Sequence, residues 1–538
     1  MSEHEQPDVV LADPQRLQAL RRALEERAVL TYCTDGATFR YQRPLSAGVP
    51  VGSYVTLEVP EDATYFGQVI TQQVVLGEGP LIGVELDMDL TDDAGASKVS
   101  QLTTPLRLRL LEGTGTILGR LEGDRLARTT HRDIFDAAEL APASTELVER
   151  YLRAGPGSAV PLPVGRCSYV DGEVEVPLRA SGFDRHTFLC GQSGSGKTFS
   201  LGVMLEQLLL QTELRLVILD PNSDFVALGT LRDGEGIDER LAGLYQAATA
   251  SLRVARPPRH ANQTGGDVRI RFSDLTRAEQ AEVLQLDPLA AREEFSTFWQ
   301  LVERLGRQRY SLTEVERLVL GELSAEARQL GLRIANLDVA GWEVWCEPEA
   351  SSLVDVLDGD DHVVVDLGTL ASPLEQAAVS VAVLGSLWRA RHRRRPLLLV
   401  IDEAHNVCPG EPASGLAALA TEYAVRIAGE GRKYGLYLLL ASQRPQKLHP
   451  NVVSQCDNLV LMRMSSNADL AYLAEVFSQV PASLLGRAPH FTIGQALIAG
   501  RPVQSPTFVT FGRRLSREGG SDIPATWAAR SGQRSGGA

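Results

Sequence analysis

This 538-residue sequence has few lysines, no long apolar run and fewer basic than acidic residues. Lysines occur only at positions 98, 197, 433 and 447 among 53 basic residues, and the formal net charge is −15. So acidic a chain does not coat nucleic acid with its whole surface, although a basic channel inside an acidic body is compatible with it. A lysine kept against this arginine bias suggests a position that needs a compact ammonium group.

The sequence also lacks the features of membrane, secreted and zinc-binding proteins. No stretch approaches the roughly 18 to 20 apolar residues that span a bilayer, and the polar N-terminus MSEHEQPDVV does not resemble a secretory signal. The six cysteines are scattered without a Cys-x-x-Cys pair, so neither a zinc site nor a disulfide framework is indicated. We therefore expect a cytoplasmic protein with reduced, mostly buried thiols and no membrane partner.

Two contrasting patterns divide the chain, and more than one domain is expected at this length. Residues 29–130 contain short alternating runs between Gly, Pro and Asp turns, which is typical of a small antiparallel β-barrel or sandwich. From about residue 166, apolar strands alternate with helices, which is typical of a mainly parallel α/β sheet. The predicted domains are a tail and helix (1–28), the barrel (29–130), a helical connector with helices at DIFDAAELAP and STELVERYLRAG (131–165), an α/β core (166–236 and 346–512), a helical insertion (237–345) and a C-terminal extension (513–538).

The segment GQSGSGKT at 191–198 fits the phosphate-binding pattern G-x-x-x-x-G-K-[ST]. An apolar strand ends at Cys190 and a helical run follows Thr198, which is the setting in which this pattern binds nucleotide. Glycines let backbone N–H groups surround phosphate oxygens, and the helix dipole adds to the attraction. Lys197 is expected to reach the β- and γ-phosphates of ATP, and Thr198 to bind Mg²⁺. The predicted nucleotide-binding residues are Gly191, Gln192, Ser193, Gly194, Ser195, Gly196, Lys197, Thr198 and Phe199.

Polar side chains follow two further apolar strands. PLLLVIDEAH at 396–405 ends in Asp402, expected to hold Mg²⁺, and Glu403, expected to orient and polarise the attacking water. In ASQRP at 441–445, Gln443 is expected to hydrogen-bond the γ-phosphate or the water, with local satisfaction of its amide as the alternative. His405 is interpreted as local packing or sensing. Together these residues predict an ATP hydrolase.

These segments together resemble the HerA-like hexameric translocases of the HerA/FtsK branch of P-loop ATPases. The resemblance rests on DRHTFLCGQSGSGKT (184–198), LVILDPNSDF (216–225), LLVIDEAHNV (398–407), GEGRKYGLYLLLASQRPQKLHPNVVSQCDNLVLMRM (429–464) and EGGSDIPATWA (518–528). It implies an α/β RecA-like P-loop ATPase core with a helical insertion, preceded by a small β-barrel similar to the HAS barrel of that family.

The resemblance also implies roles for single residues. Arg185 matches an arginine that reaches the ATP of a neighbouring subunit, and Arg432 lies at another candidate position of that kind. For Arg185 the alternative is a surface ion pair with Asp184. Asp220 matches an acidic residue at the nucleotide site. The family more often has Gly-Glu where this chain has Ser223 and Asp224, which leaves the role of Asp224 open.

The function implied is an ATP-driven double-stranded DNA translocase or helicase, working as a homo-hexameric ring with a separate nuclease. Lys447 and His449, in the loop after ASQR, are the candidate DNA contacts in the pore. One alternative is a ring that scaffolds a nuclease or NAD-cleaving effector in antiviral defence. Another is a conjugation- or secretion-type pump, which the absence of a membrane segment disfavours. The basic run RHRRR at 391–395 is interpreted as a solvated helix terminus.

Overall fold

The computed structural model describes residues 14–519 except residues 28, 61–62, 89–97, 124, 155–159, 171, 233–236, 258–265 and 307. The predicted tail before residue 14 and the end of the C-terminal extension, 520–538, therefore lie outside the described residues. The chain divides into two compact units, residues 1–154 with 167–174 and residues 155–166 with 175–538. Within the described residues, no helix combines the length and apolar character needed to cross a membrane.

The N-terminal unit is built on an antiparallel sheet. Its strands are β1 (Leu30–Cys33), β2 (Thr38–Pro44), β3 (Tyr54–Glu58), β4 (Thr64–Met88), β5 (Lys98–Glu122), β6 (Arg125–Ala127) and β7 (Glu139–Pro142), and its helices are α1 (Pro14–Arg27) and α2 (Thr145–Arg153). The strands pair in the order β1-β2-β5-β4-β3-β7, with β6 beside β5. Alternate side chains such as Phe39, Tyr41, Val55 and Leu57 form one buried core. Closure of this sheet into the expected barrel stays a prediction.

The first helix predicted for the connector is wrong. In DIFDAAELAP, Glu139–Pro142 forms strand β7, which pairs antiparallel with β3. Its Ala, Leu and Glu residues favour helix, but pairing with the free edge of β3 outweighs that weak preference. The second helix begins after Ser144, whose side chain accepts a hydrogen bond from the Leu147 N–H, as expected of an N-cap.

The second unit is built on one large sheet with helices around it. Its strands are β8 (Pro161–Cys167), β9 (Glu175–Arg179), β10 (Thr187–Cys190), β11 (Arg215–Asp220), β12 (Leu252–Arg256), β13 (Gly266–Asp267), β14 (His362–Asp366), β15 (Leu397–Ile401), β16 (Leu436–Ser442), β17 (Asn458–Met462), β18 (Gln495–Ala499) and β19 (Thr507–Phe511). Its helices are α3 (Lys197–Gln211), α4 (Glu239–Ala248), α5 (Arg277–Val283), α6 (Arg292–Leu305), α7 (Leu312–Gly321), α8 (Ala325–Leu337), α9 (Leu353–Asp358), α10 (Pro373–Ala390), α11 (Gly415–Glu430), α12 (Pro450–Val453), α13 (Asn467–Val476) and α14 (Ala482–Leu485).

The order of strands in this sheet is β13-β12-β14-β11-β15-β16-β10-β17-β18-β19-β8-β9. Pairing is parallel from β13 to β17 and antiparallel between β17 and β18, β18 and β19, and β8 and β9. The central strands β10, β11, β15 and β17 are buried along their whole length because helices cover both faces of a parallel sheet. Their carboxyl ends meet at one edge, and this edge carries the candidate site.

The region 237–345, predicted as a helical insertion, also contributes strands. Leu252–Arg256 is β12, which pairs in parallel with β14 at one side of the sheet and separates α4 from the helices α5 to α8 that follow from Arg277. The sheet also begins at Pro161, before the predicted core boundary at 166. All six cysteines are buried, as expected for most of them.

A candidate nucleotide site

The phosphate-binding loop connects the buried strand β10 to helix α3. Gly194 and Gly196 have φ angles of +70° and +91°, which glycine adopts without the steric cost that other residues meet. A Cβ on Gly196 would also lie 3.1 Å from the backbone nitrogen of Gly494, so the loop is confined from outside. Gly494 N–H donates to the Ser195 carbonyl over 2.9 Å. The loop therefore has a conformation that depends on glycine at these positions.

Lys197, the first residue of α3, is buried and contacts two carboxylates. Its Nζ lies 2.5 Å from Asp402 Oδ1 and 3.0 Å from Glu403 Oε1. Burial alone would lower the pKa of Lys197, but the charges of Asp402 and Glu403 outweigh it and raise that pKa. The lysine is thus held as a cation beside both acidic residues, and phosphate oxygens are the groups that would compete for it.

Glu403 lies two residues after the end of β15, and its backbone is in the left-handed region, with φ of +41°. Gln443 Nε2 donates to Glu403 Oε1 over 2.6 Å, and His405 Nδ1 lies 3.3 Å from Glu403 Oε2. Burial would raise the pKa of Glu403, but the charge of Lys197 and the hydrogen bond from Gln443 lower it. Burial also lowers the pKa of His405, so this imidazole is neutral at pH 7. The carboxylate of Glu403 is therefore ionised and oriented from several sides.

Asp402 is fully buried and keeps one oxygen for a further ligand. Its Oδ1 accepts hydrogen bonds from Lys197 and from its neighbour's backbone, whereas its Oδ2 has no hydrogen-bond partner among the described residues. One oxygen each of Asp402, Asp220 and Asp224 lies within 4.8 Å of the others. Carboxylate and hydroxyl oxygens are the ligands that Mg²⁺ prefers, so these acids and nearby Thr198, in the first turn of α3, fit this ion.

Asp220, the last residue of β11, accepts hydrogen bonds from three backbone N–H groups, including those of Asp224 and Phe225. Burial raises its pKa to about 7, and burial together with the charge of Asp402 raises that of Asp224 to about 6. Ser223 has φ of +63°, a conformation that favours glycine, and its hydroxyl donates to Asp366 over 2.7 Å. This hydrogen bond stabilises serine where the resembling family more often has glycine.

Arg185 and Arg432, which are predicted to reach the ATP of a neighbouring subunit, are called here the candidate trans arginines. They lie at the opposite edge of the sheet from the phosphate-binding loop. Arg185 comes shortly before β10 and Arg432 shortly before β16, so both precede strands that end at the nucleotide site. Arg185 Nε and Arg432 Nη1 lie 3.3 Å and 2.8 Å from the same oxygen, Oδ2 of Asp457. Arg185 also pairs with Asp184, as the alternative interpretation expected. From this edge neither arginine reaches the phosphate-binding loop of its own chain.

The remaining predicted residues differ in what they contribute. Lys447 is exposed at the end of a short 3-10 helix, Pro445–Lys447. The ring of His449 accepts a hydrogen bond from Asn451 N–H and so caps α12, which gives it a structural task besides any contact with DNA. Phe199 lies half-buried in the first turn of α3.

Two residues near the site were not predicted from the sequence. Arg463, directly after β17, donates to the carbonyl of Gly194 over 3.0 Å and so supports the loop. Asp366 ends β14 and is fully buried between Ser223 and Arg256, with its Oδ2 2.7 Å from Arg256 Nε. The signal for Asp366 was present in HVVVD, an apolar strand ending in an acid beside β11. Arg463 has no such signal, because an arginine after a strand is common.

Comparison with known proteins finds similarity to helicases of the HerA family. Residues 162–336 match the family model described as the central domain of helicase HerA. The chain is 24% identical over 372 residues to the DNA double-strand break repair helicase HerA of Sulfolobus acidocaldarius, covering 66% of this chain and 70% of that protein. It is 32% identical over 129 residues to a probable HerA helicase of Methanocaldococcus jannaschii, covering 24% of this chain and 25% of the relative. The plasmid coupling protein TrwB, solved in complex with ADP and Mg²⁺, aligns with a TM-score of 0.44 at 15% identity, over 69% of this chain and 94% of that one.

Proposed function

We propose that this chain, which is a HerA-like P-loop ATPase and an ATP-hydrolysing enzyme, is a motor that moves along double-stranded DNA as a homo-hexameric ring. The proposal depends on one observation: Lys197, Asp402, Glu403 and Gln443 meet at one edge of the sheet, while the candidate trans arginines lie at the other. A site completed only by a second copy suits a ring in which hydrolysis depends on the interface.

Hydrolysis in this proposal uses the groups at the carboxyl ends of β10, β11 and β15. Lys197 neutralises charge on the β- and γ-phosphates of ATP, and this releases Glu403 from its ion pair. Glu403 then orients a water and accepts its proton as the water attacks the γ-phosphorus and the bond to the leaving ADP oxygen breaks. Mg²⁺, held by Thr198 and Asp402 with Asp220 and Asp224 nearby, would offset the charge that gathers on the phosphate oxygens.

Gln443 connects this chemistry to the loop that carries Lys447 and His449, which is the candidate DNA loop. It is bonded to Glu403 through its side chain, and its backbone leads within four residues to Lys447. A change in the hydrogen bonding of Glu403 during hydrolysis therefore shifts Gln443, which lies at the start of the segment that carries Lys447. Contact of Lys447 with phosphates would be electrostatic and independent of base sequence.

Subunit mixing tests the trans arginines. Lys197→Ala subunits have a defective nucleotide site but intact arginines, whereas Arg185→Ala subunits have the reverse. We expect both variants to be inactive alone and an equal mixture to recover a measurable part of ATP turnover, because some interfaces then combine an intact site with an intact arginine. A mixture no more active than its components would contradict action in trans.

DNA-stimulated ATP turnover tests the motor. We expect linear double-stranded DNA to stimulate turnover at low salt and the stimulation to fall steeply as salt rises, since phosphate contacts release counterions. Lys447→Ala should weaken this salt-dependent stimulation without affecting basal turnover. A wild-type protein that displaces no roadblock from duplex DNA and gains no turnover with any DNA would argue against the motor.

We also propose that DNA cutting is delegated to a separate nuclease. Among the described residues, Asp220, Asp224 and Asp402 form the one group of acidic, histidine or cysteine side chains able to share a metal ion, and this group lies at the nucleotide site. A second group for a nuclease metal would be needed if the chain cut DNA itself. The purified chain with Mg²⁺ should leave linear duplex DNA intact, and cleavage abolished by a variant outside the ATP site would overturn this.

A further inference from the structure

Charged residues precede three neighbouring parallel strands at the same edge of the sheet. In the order β16, β10 and β17, these residues are Arg432, Arg185 and Asp457, each one to four positions before its strand. The phosphate-binding loop starts six residues after Arg185, roughly 20 Å away along an extended chain at about 3.3 Å per residue. The three side chains are thus neighbours of one another and distant from the nucleotide site of their own copy.

Asp457 brings two guanidinium groups together on a single carboxylate oxygen. Its Oδ2 lies 3.3 Å from Arg185 Nε and 2.8 Å from Arg432 Nη1, although its strand lies next to β10 and not next to β16. Two cations this near repel each other, and the shared anion offsets that repulsion. Since all three side chains remain about a third to a half exposed, the cluster faces solvent and is accessible to a second molecule.

The two arginines depend on Asp457 to different degrees. Arg185 has a second partner in Asp184, whose other oxygen lies 3.2 Å from Arg501. For Arg432, Asp457 is the one ion-pair partner within the described part of the chain. With Arg501 included, three guanidinium groups share two carboxylates, so the cluster keeps positive charge and spare N–H donors. A polyphosphate with several negative oxygens is the kind of ligand that such a cluster attracts.

We propose that Asp457 is a positioning residue for ATP hydrolysis in a neighbouring copy. It holds Arg185 and Arg432 side by side before the phosphates of that copy arrive, so that both guanidinium groups meet the transition state without a search through side-chain conformations. This inference rests on the proposed function, because it assumes that the two arginines act in trans. It assigns to Asp457 no contact with ATP itself.

Rings assembled from mixtures of wild-type and variant subunits test this assignment. Glu403→Gln subunits have a dead site of their own but supply intact arginines, whereas subunits carrying both Glu403→Gln and Asp457→Asn supply disordered ones. In equal mixtures with wild-type protein, we expect the double variant to leave about half of the turnover that the single variant leaves, because half of the active sites then face a defective neighbour. Equal turnover in the two mixtures would overturn the proposal.

Matched variants separate positioning from folding and from the proposed function. Asp457→Asn as a pure ring should lower kcat about tenfold with little change in the KM for ATP, and Asp457→Glu should restore most of it. Asp184→Asn, which removes a contact to Arg185 and none to Arg432, should have a smaller effect.

Native mass measurement should give the same ring for each variant, and a ring lost in Asp457→Asn would make Asp457 an assembly residue and contradict the proposal. If Arg185→Ala and Arg432→Ala themselves retain full turnover, the proposed function fails, whereas full turnover in Asp457→Asn alone refutes only this inference.

Discussion

Gln443 Nε2 and Lys197 Nζ meet at the same atom, Oε1 of Glu403, at 2.6 Å and 3.0 Å. Two donors on one carboxylate oxygen fix its direction and favour its ionised form. Lys197 belongs to the phosphate-binding loop and Gln443 follows β16, so movement of either element changes the contacts of Glu403. The oxygen becomes a better proton acceptor once Lys197 turns to phosphate.

Replacement of Glu403 should separate ATP binding from hydrolysis. We expect Glu403→Gln to lower kcat by about 10²- to 10³-fold, because the amide keeps the shape but cannot accept the proton of the water. ATP affinity, measured by calorimetry, should change little. Glu430→Gln, an exposed residue at the end of α11, serves as the control and should behave as wild type. A Glu403→Gln enzyme with normal turnover would remove Glu403 from the mechanism.

Loss of the Gln443 amide should slow turnover less severely. Gln443→Ala removes the hydrogen bond to Glu403 Oε1 and leaves Lys197 in place, so we expect a decrease in kcat of about tenfold. DNA stimulation should decrease as well, since the residue leads into the candidate DNA loop. The control is Gln446→Ala, three positions later, whose exposed amide donates to Asp469. Equal kinetics of the two variants would contradict a role for Gln443.

Lys197 should contribute to stability as well as to catalysis. Lys197→Ala leaves the buried carboxylates of Asp402 and Glu403 without their cation, which typically destabilises a protein by about 3–5 kcal/mol. Urea unfolding without added nucleotide or Mg²⁺ measures this free energy, with exposed Lys433→Ala as the control. The double variant Lys197→Met/Asp402→Leu should recover part of the loss, because it removes a buried charge together with its partner. Unchanged stability in Lys197→Ala would show that the ion pairs contribute nothing in solution.

Buried His186 should make folding stability depend on pH. Its Nδ1 accepts from Leu438 N–H over 2.9 Å, its Nε2 lies 3.0 Å from the Ala428 carbonyl, and burial lowers its pKa to about 4. The unfolded value is about 6.5, so the folded state disfavours the proton. The associated stability is fully present above pH 6.5 and is lost as pH falls from 6.5 towards 4, by up to about 3 kcal/mol.

Urea unfolding at pH 7.5 and pH 5 measures this dependence. His186→Gln, which does not titrate, should lose less stability between the two pH values than wild type does, whatever its stability at pH 7.5. His490→Gln, at an exposed position, should keep the wild-type dependence. Identical pH dependence in wild type and His186→Gln would mean that this histidine is not the titrating group.

What the sequence could predict follows from local rules. The phosphate-binding loop, Asp402 and Glu403 are placed by short patterns at strand ends, and parallel strands bring their carboxyl ends to one edge whatever the order of the sheet. Strand β7 could not be predicted in this way, since Glu139–Pro142 has helix-favouring residues and becomes a strand only through pairing with β3. Strand β12 was hidden for the same reason among predicted helices, because its partner β14 lies about 110 residues later.

The contact of Asp457 with both arginines was equally invisible. The strand order β16-β10-β17 decides it, and nothing near Asp457 in the chain indicates which strands will flank its own. The roles of the individual arginines were predicted from a family resemblance. Only the three-dimensional sheet shows that one anion serves both.

Strand β10 has the phosphate-binding loop at one end and Arg185 just beyond the other, and it is fully buried between β16 and β17 along its four residues. A strand clamped by hydrogen bonds on both sides hardly stretches. In a ring, β10 would therefore transmit a displacement of the phosphate-binding loop in one copy to Arg185, which faces the nucleotide site of the next copy. Sequential hydrolysis around such a ring would then require no hinge, only the stiffness of three adjacent strands.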